Sequence, residues 1–231
     1  MPDNPTPFHL KLSDPGLPET KLTTTKQRWA REGKFLTGRA ARSGSERLPP
    51  GQHLVRDWPV LDLGLQPDVA RQHWRLRVHG AVENPLFWTW EDFTREPQAT
   101  EVSDIHCVTT WSRYDNEWQG VSTGHIMDIV RPRPEASHVW LTSQDGYTTN
   151  LPVEDFSAED SIVAHTWQGA PLTKEHGGPV RLVVPRLYFW KSAKWLQDIE
   201  FVTADKPGFW EVRGYHMRGD PWAEQRYTDD P

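Results

Sequence analysis

Alternation of apolar and polar positions marks much of the chain. In Trp74-Arg75-Leu76-Arg77-Val78-His79-Gly80 every second side chain is apolar until a glycine stops the run, which predicts a strand. Glu101 to Cys107 alternates again, which places Cys107 on the face shared by Ile105, at or just past a strand end. Further strands are predicted at His138–Thr142, Ser161–Trp167, Val180–Val184 and Ile199–Thr203, with turns at Asp145-Gly146 and Gln168-Gly169. Thr89 can cap a short helix with Glu91 and Asp92 in its first turn. Ser122 or Thr123 can cap another that runs to Val130, turns Ile126, Ile129 and Val130 inward and stops before Pro132 and Pro134. There is no internal repeat. Many short strands with few short helices make a mixed α+β fold. Residues 1–50 have no sustained apolar period and read as a basic, polar arm with room for one short helix, ending at Leu48-Pro49-Pro50-Gly51; residues 51–231 form the folded domain.

Composition changes this picture in one respect. Only 36% of the 231 residues are hydrophobic, but 13 are Trp, and an aromatic side chain buries about 150–250 Å². The core should therefore be rich in Trp. The charge is uneven: residues 21–47 hold eight Lys or Arg against two Glu, a net of +6, whereas residues 1–20 carry −2 and the remainder −10. A basic arm on an acidic body either folds back, contacts a partner or stays a solvated leader. The overall charge of −6 argues against general nucleic-acid binding. No stretch has the apolar length of a membrane span, and the N-terminal residues show neither a basic start nor an Arg-Arg pair, so the expectation is a cytoplasmic protein without stable membrane insertion.

Cys107 is the only cysteine. A single thiol forms no internal disulfide, so it is either a buried core residue or a functional thiolate. Thiolate is the softest anionic ligand that side chains offer to a metal. The ten His residues show no His-x-x-x-His spacing, and a lone Cys makes no Cys-x-x-Cys, so an ordinary zinc site is disfavoured.

Two segments carry a resemblance. The first is Ile105-His106-Cys107-Val108-Thr109-Thr110-Trp111-Ser112 with Trp118-Gln119-Gly120 after it. The second is Glu175-His176-Gly177-Gly178-Pro179-Val180-Arg181-Leu182-Val183-Val184-Pro185, continuing through Lys191-Ser192-Ala193-Lys194. In this order they resemble the molybdopterin-binding sulfite oxidase superfamily, nearest in motif to the bacterial branch that contains the methionine sulfoxide reductase catalytic subunit. The ending, from Gly208-Phe209-Trp210-Glu211 to Pro221-Trp222, looks like a small stand-alone bacterial subgroup, and the resemblance spans residues 50–227. It implies a β/β/α layered, sulfite-oxidase-type fold and a molybdenum-molybdopterin cofactor, with Cys107 as metal ligand. Matched position by position, it implies cofactor contacts at His176, Arg181, Ser192, Ala193 and Lys194, and also at Thr142 and His53. The pterin's phosphate needs charge and free donors: Arg181 offers a planar fork, Lys194 a compact cation, and the Ser192 and Ala193 N–H groups an anion-holding nest.

Trp111 and Arg113 follow Cys107 closely enough to line a substrate opening, although Trp111 serves equally as core packing; Tyr215 and His216 are further rim candidates. Val108-Thr109-Thr110-Trp111 is less cationic than the matching region of sulfite oxidases, which disfavours sulfite. The expected function is oxygen-atom transfer to or from a small or side-chain substrate of sulfoxide or N-oxide type. One Cys leaves no haem Cys-x-x-Cys-His and no iron–sulfur ligand set, and no Gly-x-Gly-x-x-Gly is present, so an external electron-transfer partner is implied. The alternative is a non-catalytic pterin-binding or scaffold protein that keeps the fold.

Overall fold

The structure, a computed structural model, describes residues 47–230 and four earlier positions, Lys21, Thr24, Thr25 and Arg28. Nearly all of the arm expected over residues 1–50 lies outside the described residues. Eleven strands are described: β1 (His53–Leu54), β2 (Arg75–Gly80), β3 (Leu86–Thr89), β4 (Ala99–His106), β5 (Trp111–Ser122), β6 (His138–Ser143), β7 (Thr148–Pro152), β8 (Ile162–Trp167), β9 (Ala170–Pro171), β10 (Arg181–Val183) and β11 (Leu196–Val202). Helices α1 (Trp90–Arg95), α2 (Thr123–Val130) and α3 (Val153–Phe156) are short. Two sheets result. One has the order β1-β5-β8-β10, with β4 also on β5 and β9 on β8; the other runs β3-β2-β11-β6-β7.

Local chemistry accounts for the ends of these elements. Thr89 and Asp92 form a reciprocal capping box on α1, and the Ser122 hydroxyl accepts the His125 N–H on α2. Strand β5 is twelve residues long and organises the first sheet, pairing antiparallel with β4, parallel with β1 through Trp111 and Ser112, and antiparallel with β8 from Trp118 to Ser122. The register with β8 shifts at Gly120, where an added Cβ would lie 2.0 Å from the Val163 carbonyl oxygen. Only glycine fits so close an approach.

The shared core contains Val121, Val163 and Leu182 from the first sheet, Leu76, Val78, Leu141, Ile199 and Phe201 from the second, and Phe93, Ile126 and Phe156 from the helices. A second apolar cluster gathers Trp58, Ile105, Cys107, Trp111, Trp118, Tyr188, Trp190 and Tyr215. Four of the eight buried Trp residues, Trp58, Trp111, Trp118 and Trp190, are in this cluster with Cys107, so the Trp-rich packing expected from composition is shared between this region and the rest of the core. No helix among the described residues is long and apolar enough to cross a membrane.

Candidate active site

Strand β4 ends at His106, and Cys107 is the first residue beyond it. The chain reverses there through a tight turn: Thr110 N–H donates to Cys107 O at 2.9 Å, Cys107 N–H donates to Trp111 O at 2.8 Å, and Thr110 takes a left-handed φ of 73°. The Gln52 side chain donates to Cys107 O as well. The turn delivers the thiol to a cavity of about 240 Å³. Cys107 is 6% exposed, and burial pushes its thiol up to about 11, against the opposing effects of a Thr109 hydrogen bond and the Lys194 charge. At neutral pH the group is a thiol, and an ionised sulfur there needs a cation beside it.

Five of the residues singled out from the sequence line this cavity: Cys107, Trp111, Arg181, Ser192 and Lys194; Tyr215 of the rim candidates does too. Arg181 is 1% exposed and donates to His176 O at 2.9 Å and Ser192 O at 2.8 Å. It has no carboxylate partner among the described residues, and burial alone lowers its guanidinium to about 9. The ring of Phe189 lies 4.2 Å from the guanidinium carbon. A buried cation held only by carbonyls and a π face is costly unless an anion joins it. Lys194 approaches from the next turn, its Nζ donating to Glu175 O at 2.5 Å. Two further atoms await a partner: Trp111 Nε1 and Ser143 Oγ are buried without a hydrogen bond, and both residues line the cavity.

The remaining candidates sit elsewhere. Thr142 does not line the cavity but its neighbour Ser143 does, as expected for adjacent positions on opposite faces of β6. His53 pairs with Trp111 in β1, outside the lining. Arg113 is drawn away from the cavity: its guanidinium donates to Asn116 Oδ1 at 2.5 Å and to Arg56 O at 3.3 Å, and lies 4.7 Å from the Trp167 ring. Ala193 is buried in the shared core. The Ser192 N–H already donates to Phe189 O, so it does not complete an anion nest. His176 stacks on Trp58 behind the lining, and His216 Nδ1 accepts from the Arg218 and Gly219 N–H groups. Lys191, next to the motif's Ser192, is fully buried and ion-paired with Glu211 at 2.6 Å.

The sequence pattern does not mark the strap Trp58-Pro59-Val60-Leu61-Asp62-Leu63, which forms one wall, and marks Asp145 only as a turn residue. Asp145 accepts the Tyr147 N–H at 3.0 Å, and burial raises its carboxyl to about 6. The strap has no period to betray it. The turn signal of Asp145 was legible, but its place on the cavity wall was not.

The residue set fits a molybdenum-molybdopterin group: one cavity is lined by a thiol, a buried guanidinium without a carboxylate partner among the described residues, a lysine, and two residues, Trp111 and Ser143, with a buried polar atom that has no hydrogen bond. Among the described residues no three His, Cys, Asp or Glu side chains converge as a metal cluster, so a metal at Cys107 would bring other ligands with it. Comparison with known proteins agrees. The profile described as "oxidoreductase molybdopterin binding domain" matches residues 63–210. An uncharacterized oxidoreductase of Bacillus subtilis, YuiH, is 49% identical over 189 residues, 80% of this chain and 94% of that one. The protein-methionine-sulfoxide reductase catalytic subunit MsrP of Campylobacter jejuni is 27% identical, and the match covers 64% of this chain but only 56% of MsrP. The sulfane dehydrogenase SoxCD of Paracoccus pantotrophus shares the fold, with a TM-score of 0.55 at 24% identity over 60% of this chain and 40% of that one. The chain therefore belongs to the molybdopterin-binding oxidoreductase family, and its cofactor is molybdenum-molybdopterin.

Proposed function

We propose that the protein reduces a neutral sulfoxide- or N-oxide-type substrate, small or borne on a side chain, with electrons from an external partner. The observation that carries this reading is that Cys107 and the buried Arg181, which has no carboxylate partner among the described residues, line one cavity. When bound, the cofactor supplies oxygen-atom transfer, its metal cycling between the IV and VI states. Cys107 would hold the metal through sulfur, Arg181 and Lys194 would hold the phosphate, and Ser192, Ser143 and Trp111 would supply further hydrogen bonds to the group. His176, stacked on Trp58, and Ala193 support these contacts from behind. The aromatic lining of Trp58, Trp111, Trp190, Trp210 and Tyr215 excludes water and shapes the space left for substrate.

Charge supports the choice of substrate. Among the described residues, Arg181 and Lys194 are the only Lys or Arg that line the cavity, and the acids Asp62 and Asp145 line it too. Once the phosphate occupies both cations, no cationic lining residue is left for an oxyanion such as sulfite, and nearby carboxylates repel one. A reducing compartment suits the lone buried thiol, and cytoplasmic residence is part of the reading.

The test is turnover of cofactor-loaded protein with a reduced viologen dye on dimethyl sulfoxide, methionine sulfoxide and trimethylamine N-oxide, beside sulfite oxidation with ferricyanide. Reduction of at least one sulfoxide or N-oxide, at a kcat/KM well above that for sulfite, is the expected result. Sulfite oxidation as the dominant activity would overturn the substrate reading.

A further inference from the structure

Thr109 stands two residues past Cys107 in the turn between β4 and β5, and its hydroxyl donates to Cys107 Sγ at 3.0 Å. The turn folds Thr109 back so that its hydroxyl lies against the thiol. The turn does not depend on the hydroxyl, since the backbone bonds Thr110 to Cys107 and Cys107 to Trp111 close it. Ile105, Val108 and Trp111 pack in the same apolar cluster as Cys107, and the Lys194 charge also acts on the thiol.

We propose that Thr109 is a positioning residue that withdraws electron density from the Cys107 sulfur and so raises the reduction potential of the metal it ligates. The inference rests on the reading that Cys107 is the metal ligand. A hydrogen bond to a ligating sulfur disperses its negative charge, weakens its donation to the metal and favours the reduced state. Hydrogen bonding to ligand atoms is one of the levers by which a protein tunes a metal centre that it holds through a single side chain.

The experiment is a dye-mediated redox titration of the cofactor-loaded protein, followed by the electron paramagnetic resonance signal of the half-reduced metal. It compares wild type with Thr109→Val, Thr109→Ser and Cys107→Ser. Valine keeps the shape and removes only the hydroxyl, whereas serine restores it. The expected result for Thr109→Val is a fall in midpoint potential that changes the oxidised-to-reduced ratio at fixed poise by about tenfold, or about 59 mV for a one-electron couple. Thr109→Ser should return to the wild-type value. An unchanged potential in Thr109→Val, whether or not metal content falls, overturns the role given to Thr109 while an altered signal in Cys107→Ser upholds the ligand. A Cys107→Ser signal identical to wild type overturns the ligand reading and the inference with it.

Discussion

The indole of Trp58 and the imidazole of His176 lie face to face, their centroids 3.8 Å apart and their planes 6° from parallel. The stack joins the strap that walls the cavity to the segment that carries Arg181, whose Nη1 donates to His176 O. Burial, then the charges of Arg181 and Lys194, lower His176 to about 4; Glu175 opposes this and Arg113 adds to it. The ring is therefore neutral in the folded protein at pH 7.

A depressed histidine means that the unfolded chain binds the proton more readily. The contribution of neutral His176 to stability is complete above about pH 6.5 and is lost as pH falls towards 4. For a partly screened ring the loss should be about 1–2 kcal/mol. Urea unfolding of wild type and His176→Gln at pH 7 and pH 5 checks it: the advantage of wild type should shrink at pH 5. An equal advantage at both values would contradict a neutral buried His176.

Arg181→Ala should weaken cofactor retention by about 10- to 150-fold, the equivalent of about 1.5–3 kcal/mol for a hydrogen bond to a charged group. Lys194→Ala should do the same, and Lys194→Arg should restore only part, because a planar fork does not replace a point charge. Pterin content after exhaustive dialysis is the measurement, and full retention in both alanine variants would contradict the phosphate grip.

Behind the cavity wall, Lys191 Nζ meets Glu211 Oε1 at 2.6 Å, and the same oxygen accepts the Trp190 indole N–H at 2.8 Å. Both side chains of the ion pair are fully buried. Lys191→Met should cost about 3–5 kcal/mol, because Glu211 is left as an uncompensated buried charge. The double variant with Glu211→Gln should recover a measurable part of that loss. Chemical denaturation of the single and double variants decides it, and strict additivity would contradict the coupling.

Several of these features were legible in the sequence and several were not, for physical reasons. Period and punctuation located β2, β4, β8 and β10 to within about two residues, and the caps at Thr89 and Ser122 are side-chain chemistry visible in a single residue. The apolar–polar pattern does not predict strand β5. Its buried positions Asn116, Trp118 and Gly120 alternate with exposed Glu117 and Gln119, but two of the three buried residues are not apolar, so the pattern has no hydrophobic amplitude. The strand nearest residue 199 starts at Leu196, earlier than its predicted start at Ile199, with a register shift between Leu196 and Asp198 against β6. At the site, motif residues with a charge to place, Arg181 and Lys194, were found together with Cys107. Position-by-position matching put a contact at Thr142, whereas the pleat puts Ser143 on the cavity side. Arg113 was proposed from proximity in sequence, but Asn116 and Trp167 compete for its guanidinium.

Gly177 tests how the backbone sets the grip. Its φ is 100°, and a Cβ there would lie 2.9 Å from Lys194 Cβ and 3.0 Å from Lys194 Cα. Gly177→Ala should cost about 1–3 kcal/mol of stability through the left-handed conformation alone, and it should lower cofactor retention further by displacing Lys194. Unfolding and dialysis measured on the same preparation separate the two effects. A variant that retains cofactor fully would show that Lys194 does not need this approach.

The most direct measurement is the metal and pterin content of the protein purified from a host that makes the cofactor, with and without Cys107→Ser. About one molybdenum and one pterin per chain are expected in wild type. Cys107→Ser should keep much of the pterin, because Arg181 and Lys194 remain, but lose oxygen-atom turnover, because a hydroxyl ionises far less readily than a thiol with its pKa of about 8.5. Zinc or no metal in wild type under full cofactor supply, or wild-type turnover in Cys107→Ser, would contradict the assignment of Cys107 as ligand to a molybdenum centre.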